Sequence, residues 1–202
     1  MRIITGRAKG ALLETLPGLE TRPTAERVKE AIFSMIQFDI EGRRVLDLFA
    51  GSGQLGLEAL SRGAAHATFI DSSREAVDVI LKNAAKARLR ESARVSSMDF
   101  SAFLKSASDE YDIIFLDPPY NTSMMSDALR LIAERGLLRD GGFIVCETDT
   151  GEEERRRRKK ERRDGEDDVQ RDVFGGDAEL ADKYTVERTS RYGRTRITIL
   201  SI

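Results

Sequence analysis

The 202 residues suffice for one sizeable hydrophobic core and do not by their number require two domains. Hydrophobic residues at 40% and charged residues at 34% describe a globular chain with one unusually charged stretch, and no apolar run is long enough to cross a bilayer. A single cysteine, Cys146, excludes an internal disulfide, and the opening Met1-Arg-Ile-Ile-Thr-Gly6 lacks an apolar leader, so a reducing cytoplasm is the expected setting.

In chain order, Ile3-Ile4 and Leu12-Leu13 flank Gly6-Arg-Ala-Lys-Gly10, which predicts a short hairpin within an N-terminal extension over 1–20. A helix should follow Thr21-Arg-Pro-Thr24, with Thr24 as its cap and Val28, Ala31, Ile32, Met35 and Ile36 on one apolar face. Strands are expected at Arg44–Phe49, Ala67–Asp71, Ala93–Ser97, Tyr111–Asp117 and Gly142–Glu147. Helices fall between them near Leu55–Ser61, Arg74–Arg88, Phe100–Ser106 and Met124–Glu134. Short apolar strands alternating with helices predict an α/β fold with a mostly parallel sheet covered on both faces. Tyr184–Thr189 and Thr195–Leu200 bracket Ser190-Arg-Tyr-Gly193 and predict a closing antiparallel hairpin.

Charge is distributed unevenly. Between Gly151 and Asp172, 18 of 22 residues are charged in equal numbers of each sign, so this part of an insertion at about 150–183 has little to bury and reads as a solvated loop or exposed helix. Arg2, Arg7 and Lys9 at one end, and Lys183, Arg188, Arg191, Arg194 and Arg196 at the other, could line one phosphate-binding face if the fold unites them. Two solvated ends are the simpler expectation. His66 reads as a surface residue, Cys146 as a small core residue, and Met124 and Met125 as helix packing.

The first strand runs into Asp47-Leu-Phe-Ala-Gly51-Ser-Gly53-Gln-Leu-Gly56 and then a helix. Glycines let the backbone turn sharply beside a ligand, and the helix start offers unpaired N–H groups. Asp71, twenty residues after Gly51 at the end of the second strand, is placed to bind ribose hydroxyls. This pattern suits a nicotinamide-dependent oxidoreductase as well as a methyltransferase. Asp47 favours the latter: it would repel a pyrophosphate and attract the sulfonium and amino groups of S-adenosylmethionine. Asp99, after the third strand, suits an adenine amino group, or equally an N-cap for the helix at Phe100.

Asp117-Pro118-Pro119-Tyr120 ends the fourth strand. In an open parallel sheet, ligands sit beyond the strands' carboxyl ends where the winding reverses, so this tetrapeptide should lie beside the glycine loop. An aryl amine is a poor nucleophile because its lone pair is delocalised into the ring. Asp117 and the Pro118 carbonyl, each accepting one N–H, would favour a pyramidal nitrogen whose lone pair points at the methyl group. The prolines hold those acceptors rigid, and Tyr120 offers a face for base stacking, worth about 1–3 kcal/mol. The oxidoreductase reading leaves this motif unexplained. A non-enzymatic RNA-binding module fits the intact Asp117 and glycines poorly.

On these residues the chain resembles the RsmD-type family of small-subunit (16S) rRNA guanine-N2 methyltransferases. The likeness rests on Met1–Gly6, Thr21–Thr24 with Val28–Phe33, Asp47–Gly53 with Leu57–Gly63, Phe115–Tyr120 and Tyr192–Thr195. It implies a class I, Rossmann-like, seven-stranded methyltransferase domain over 21–202, with S-adenosylmethionine as cofactor, no metal, and 16S rRNA in the small subunit as partner of a monomer. Carried over, Asp47, Phe49, Gly51, Gly53, Asp71 and Asp99 bind the cofactor, and Asp117, Pro118 and Tyr120 act on the guanine amine. Pro119 and Tyr120 meet the RNA, and Arg7 of the N-terminal hairpin and Arg22 face the RNA or the cofactor carboxylate. The charged insertion and Gln54, where a small residue is more usual, depart from the pattern. Another RNA, DNA or a protein glutamine remain alternative substrates, although the chain has no room for the recognition domain that duplex DNA generally requires.

Overall fold

The computed structural model describes residues 1–16, 23–119, 123–150 and 165–202. Helix α1 (Pro23–Met35) precedes β1 (Arg44–Asp47), α2 (Gln54–Ser61), β2 (His66–Asp71), α3 (Arg74–Lys86), β3 (Ala93–Ser97), α4 (Phe100–Ser106), β4 (Tyr111–Leu116), α5 (Met124–Arg135) and β5 (Leu138–Asp149). Then follow α6 (Gly165–Asp172), α7 (Ala178–Ala181), β6 (Thr185–Tyr192) and β7 (Thr195–Ser201). The strands form one seven-stranded sheet in the order β3-β2-β1-β4-β5-β7-β6, parallel except for β7, which runs antiparallel to both neighbours. The expected class and the closing hairpin are both present.

Alternation along the strands divides the core in two. Val45, Phe69, Ile113, Phe115, Val145 and Ile197 face a cluster completed by α1, α2 and α3. Leu46, Ile70, Ile114, Leu116, Ile144, Cys146 and Leu200 face the other, completed by α4, α5 and the segment from α6 to α7. Every buried strand thus serves two layers, which is why these strands read as continuous apolar runs. The winding reverses at β1, which lies between β2 and β4.

Several element ends differ from expectation. Helix α1 starts at Pro23, so Thr24 lies in its first turn and is not its cap; proline is pre-organised for the first helical position. β1 stops at Asp47 because the chain turns at once into the glycine loop. α3 ends at Lys86, and Arg88, at φ 58°, turns the chain toward β3.

The N-terminal hairpin is reduced to one bridge, Arg2 to Leu12. Its order comes from docking. The Glu58 carboxylate on α2 accepts the Ile4 and Thr5 amides at 2.7 and 3.0 Å, and Lys29 Nζ donates to the Arg2 carbonyl. Gly6, at φ 87°, lies so close to α2 that a Cβ there would sit 1.8 Å from the Ser61 carbonyl oxygen.

The charged stretch is also more structured at its end than composition implied. α6 closes it, Val169 is buried, and the Asp172 carboxylate pairs with the buried Arg196 of β7. Val173, Phe174, Leu180 and Tyr184 then fill the second core cluster. The apolar residues after the charge run thus share a cluster with residues of β5 and β7.

Candidate active site

The glycine loop joins β1 to α2 at the point where the winding reverses. Gly51 and Gly53 hold φ of 53° and 77°, where a side chain would strain the turn. Among the described residues, none beyond its chain neighbours comes within 4 Å of a Cβ placed on Gly51. Gly56 serves packing, since a Cβ on it would meet the Phe69 ring at 2.3 Å. It lets α2 lie close against β2 with its N-terminus aimed at the loop.

Asp47 and Asp71 organise this loop, and Asp99 stands after β3. Asp47 is buried and accepts the Gly56 amide at 2.9 Å, taking one of the donors that the first turn of α2 leaves free. Burial, reinforced by Asp117 and Asp71, pushes its carboxyl up to about 7 despite that hydrogen bond. A cation bound nearby would favour the ionised form. Asp71 accepts the Gly51 amide through one oxygen and the Ser73 amide through the other, both at 2.9 Å. Each oxygen keeps a second lone pair for a hydroxyl. Asp99 caps α4, one oxygen accepting the Ser101 and Ala102 amides, while the exposed side chain leaves its other oxygen accessible. The two readings of Asp99 are therefore compatible. Phe49 packs its ring 5.2 Å from that of Phe100, the residue after Asp99, and Met98, the residue before it, exposes apolar surface.

Gln54, the departure noted in the sequence, opens α2 with a buried side-chain oxygen that has no hydrogen-bond donor among the described residues. Open backbone turns, a buried anion and an unsatisfied acceptor together fit a ligand carrying ammonium and sulfonium charge, as S-adenosylmethionine does.

Across the reversal point, the Asp117 side chain is half-buried, Pro118 is buried and Pro119 is exposed. Burial, with the Glu147 carboxylate beside it, holds Asp117 well above the usual carboxylate range. Tyr120 and Arg22 lie outside the described residues. Arg7 and Lys9 are exposed on the docked arm, but the C-terminal basic stretch is partly consumed internally. Arg196 is buried against Asp172, Arg194 pairs with Asp149 at 2.8 Å, and Arg191 donates to Thr150 Oγ1. His66 is exposed and Cys146 and Met125 are buried, as expected.

Sequence reasoning missed Asn83 and Glu147. Asn83, fully buried on α3, donates to the Ser52 carbonyl of the glycine loop and exchanges two hydrogen bonds with the backbone of Glu14. One amide thus ties the arm to the loop, and no local pattern announces it. Glu147 was placed only as a strand end, although the argument applied to Asp71 and Asp117 covers it once β5 is set beside β4. Among the described residues no three His, Cys, Asp or Glu side chains group as metal ligands would, and no helix is long and apolar enough to cross a membrane.

A glycine loop over a buried acid, with an Asp-Pro-Pro turn on the adjacent strand, defines an S-adenosylmethionine-dependent methyltransferase of the Rossmann-like class. The family model described as Conserved hypothetical protein 95 matches residues 1–169, and the chain belongs to that family, the RsmD-type group that its motifs resemble. It is 43% identical over 152 residues to Bacillus subtilis YlbH, covering 74% of this chain and 83% of that protein. It is 36% identical over 149 residues to the Escherichia coli ribosomal RNA small subunit methyltransferase D, covering 74% of this chain and 75% of the relative. Among solved structures, Escherichia coli yhhF superposes with a TM-score of 0.76 at 30% identity, over 99% of this chain and 96% of that one. Family membership removes the oxidoreductase reading of the glycine spacing.

Proposed function

We propose that this protein transfers a methyl group from S-adenosylmethionine to the N2 amine of a guanine in 16S rRNA, acting as a cytoplasmic monomer on the small ribosomal subunit. The observation that carries the reading is the adjacency of Asp117-Pro118 to the glycine loop across the β1–β4 reversal, in a chain of this family.

Asp117 Oδ and the Pro118 carbonyl accept the two amine N–H bonds, and Tyr120 stacks on the ring. Bound S-adenosylmethionine would supply an electrophilic methyl group with its own sulfur as leaving group, so that a C–N bond to the amine would replace the methyl's C–S bond. Asp117 or water would take the proton that the amine loses, and holding the amine in place lowers the entropic cost of the displacement. Asp71 takes the ribose hydroxyls, Asp99 the adenine amine, and Asp47 with Phe49, Gly51 and Gly53 the rest of the cofactor. Arg7 and Arg22, with Pro119, position the RNA. Such contacts orient the backbone while base contacts choose the nucleotide.

The test is transfer of labelled methyl to small subunits lacking their own guanine-N2 methylation, beside free 16S rRNA, large subunits, duplex DNA and protein. Labelling of one guanine in the small subunit is the expected result. Labelling of DNA or protein alone would move the site to another amine.

A further inference from the structure

The side chain of Asn83 is fully buried on α3 and serves two distant parts of the chain at once. Nδ2 donates to the Ser52 and Glu14 carbonyls, both at 3.0 Å, and Oδ1 accepts the Glu14 amide at 2.7 Å. Both donors of the side-chain amide are thereby used. Ile80, one turn earlier on the same face of α3, meets the same loop by packing: a Cβ on Gly53 would lie 3.2 Å from it.

Ser52 sits between Gly51 and Gly53, whose φ angles are 53° and 77°. Glycine reaches such angles without strain and leaves them as readily, so the turn needs outside bonds to stay in one form. The Gly53 amide donates to the Ala50 carbonyl across the turn at 2.6 Å, Asp71 holds the Gly51 amide, and Asn83 holds the carbonyl between them. The Asn83 bond differs from the other two in depending on the arm, since Glu14 takes part in two of its three hydrogen bonds. With the arm displaced, the amide loses those partners. A polar group left unsatisfied in a dry site is costly, and turning it toward water releases Ser52.

We propose that Asn83 is a positioning residue that couples seating of the N-terminal arm to occupancy of the glycine loop by the cofactor. A seated arm fixes the plane of the amide and, with it, the Ser52 carbonyl. A cofactor that fixes the loop presents that carbonyl and so orients the amide for Glu14. Linkage makes the two effects equal. The arm carries the exposed Arg7 and Lys9, so cofactor loading sets these two cations in place for RNA. This rests on the glycine loop being the S-adenosylmethionine site, as proposed above, and adds a route from that site to the RNA-facing arm.

The probe is S-adenosylhomocysteine, which binds without turnover. Hydrogen exchange is followed with and without it in residues 1–16, in residues 47–56 and, as a reference at the far edge of the sheet, in β6. Calorimetry gives its Kd, and the stoichiometry reports the folded fraction of each variant. In the wild type, the probe should slow exchange in loop and arm by about fivefold or more beyond any change in β6. In Asn83→Ala the loop should still respond and the arm should not, while Kd for the folded fraction rises about fivefold or more. Gly6→Ala, whose Cβ would clash with the Ser61 carbonyl, should weaken binding alone and add nothing in the Asn83→Ala background. A wild-type loop that is protected while the arm does not respond would overturn the proposal, and that result needs no variant. Arm protection that survives in Asn83→Ala, or effects of the two substitutions that simply add, would overturn it too. A loop that the probe leaves unprotected in the wild type would instead remove the cofactor from this loop, and this proposal with it.

Discussion

Asp117 accepts an amine N–H most strongly as a carboxylate and can take the amine's proton only in that form, yet burial and Glu147 hold its proton on to a higher pH than an ordinary aspartate. Transfer should therefore fall as pH drops through that raised value, giving kcat an acid limb above the usual carboxylate range. Asp117→Ala should abolish turnover and leave cofactor affinity within about threefold, because its contacts are made to the amine. Calorimetric binding beside single-turnover rates checks both parts. Asp47 makes a second prediction. Its folded value of about 7 exceeds the ordinary 3.8, so the folded chain holds this proton more tightly than the unfolded one. Stability from this group is greatest below about pH 4 and is lost as pH rises toward 7. Urea unfolding of Asp47→Asn should show a flatter pH profile than wild type across that window, and identical slopes would mean that Asp47 titrates normally.

At the scale of elements, the arm is held to α2 through Glu58 and Ser61 and to α3 through Asn83, which also grips the glycine loop. Gly6 permits the approach: any side chain there meets the Ser61 carbonyl and a strained φ together. Gly6→Ala should unseat the arm, lowering stability by about 1–3 kcal/mol. It should also raise the KM for S-adenosylmethionine, since Asn83 then loses the backbone that orients it. Protease cleavage within residues 1–16, with thermal melting and KM, reads the outcome. The hairpin inferred from Ile3-Ile4 and Leu12-Leu13 was legible as a reversal of the chain. Its docking was not, because Glu58, Ser61 and Asn83 lie 53 to 69 residues away in sequence and look like ordinary helix residues there.

For the whole molecule, the described residues show a buried ion pair that joins the closing strands to the end of the charged insertion. Arg196 on β7 is 3% exposed and meets Asp172 at the end of α6. Removing that carboxylate takes a charge partner from a guanidinium that water barely reaches, which destabilises the fold. Asp172→Ala should therefore lower the urea midpoint substantially, whereas neutralising the exposed Arg188 should shift it little. Equal effects would show that α6 is seated by Val169 and its neighbours alone. The two basic ends do not combine as charge counting suggested, because Arg191, Arg194 and Arg196 are engaged by Thr150, Asp149 and Asp172.

Periodicity placed the strands and helices, since a strand buried on both faces or an amphipathic helix writes its environment into neighbouring residues. The glycine spacing and Asp-Pro-Pro-Tyr were equally readable, because turn geometry and rigid acceptors need particular residues close together in sequence. From these followed the class, the glycine loop and the Asp-Pro-Pro motif proposed to hold the amine. Tertiary structure alone set Glu147 beside Asp117, buried Arg196, and joined Asn83 to both the arm and the loop. Those relations depend on strand order and helix docking. Both emerge from the summed packing of distant residues, which no short stretch of sequence specifies.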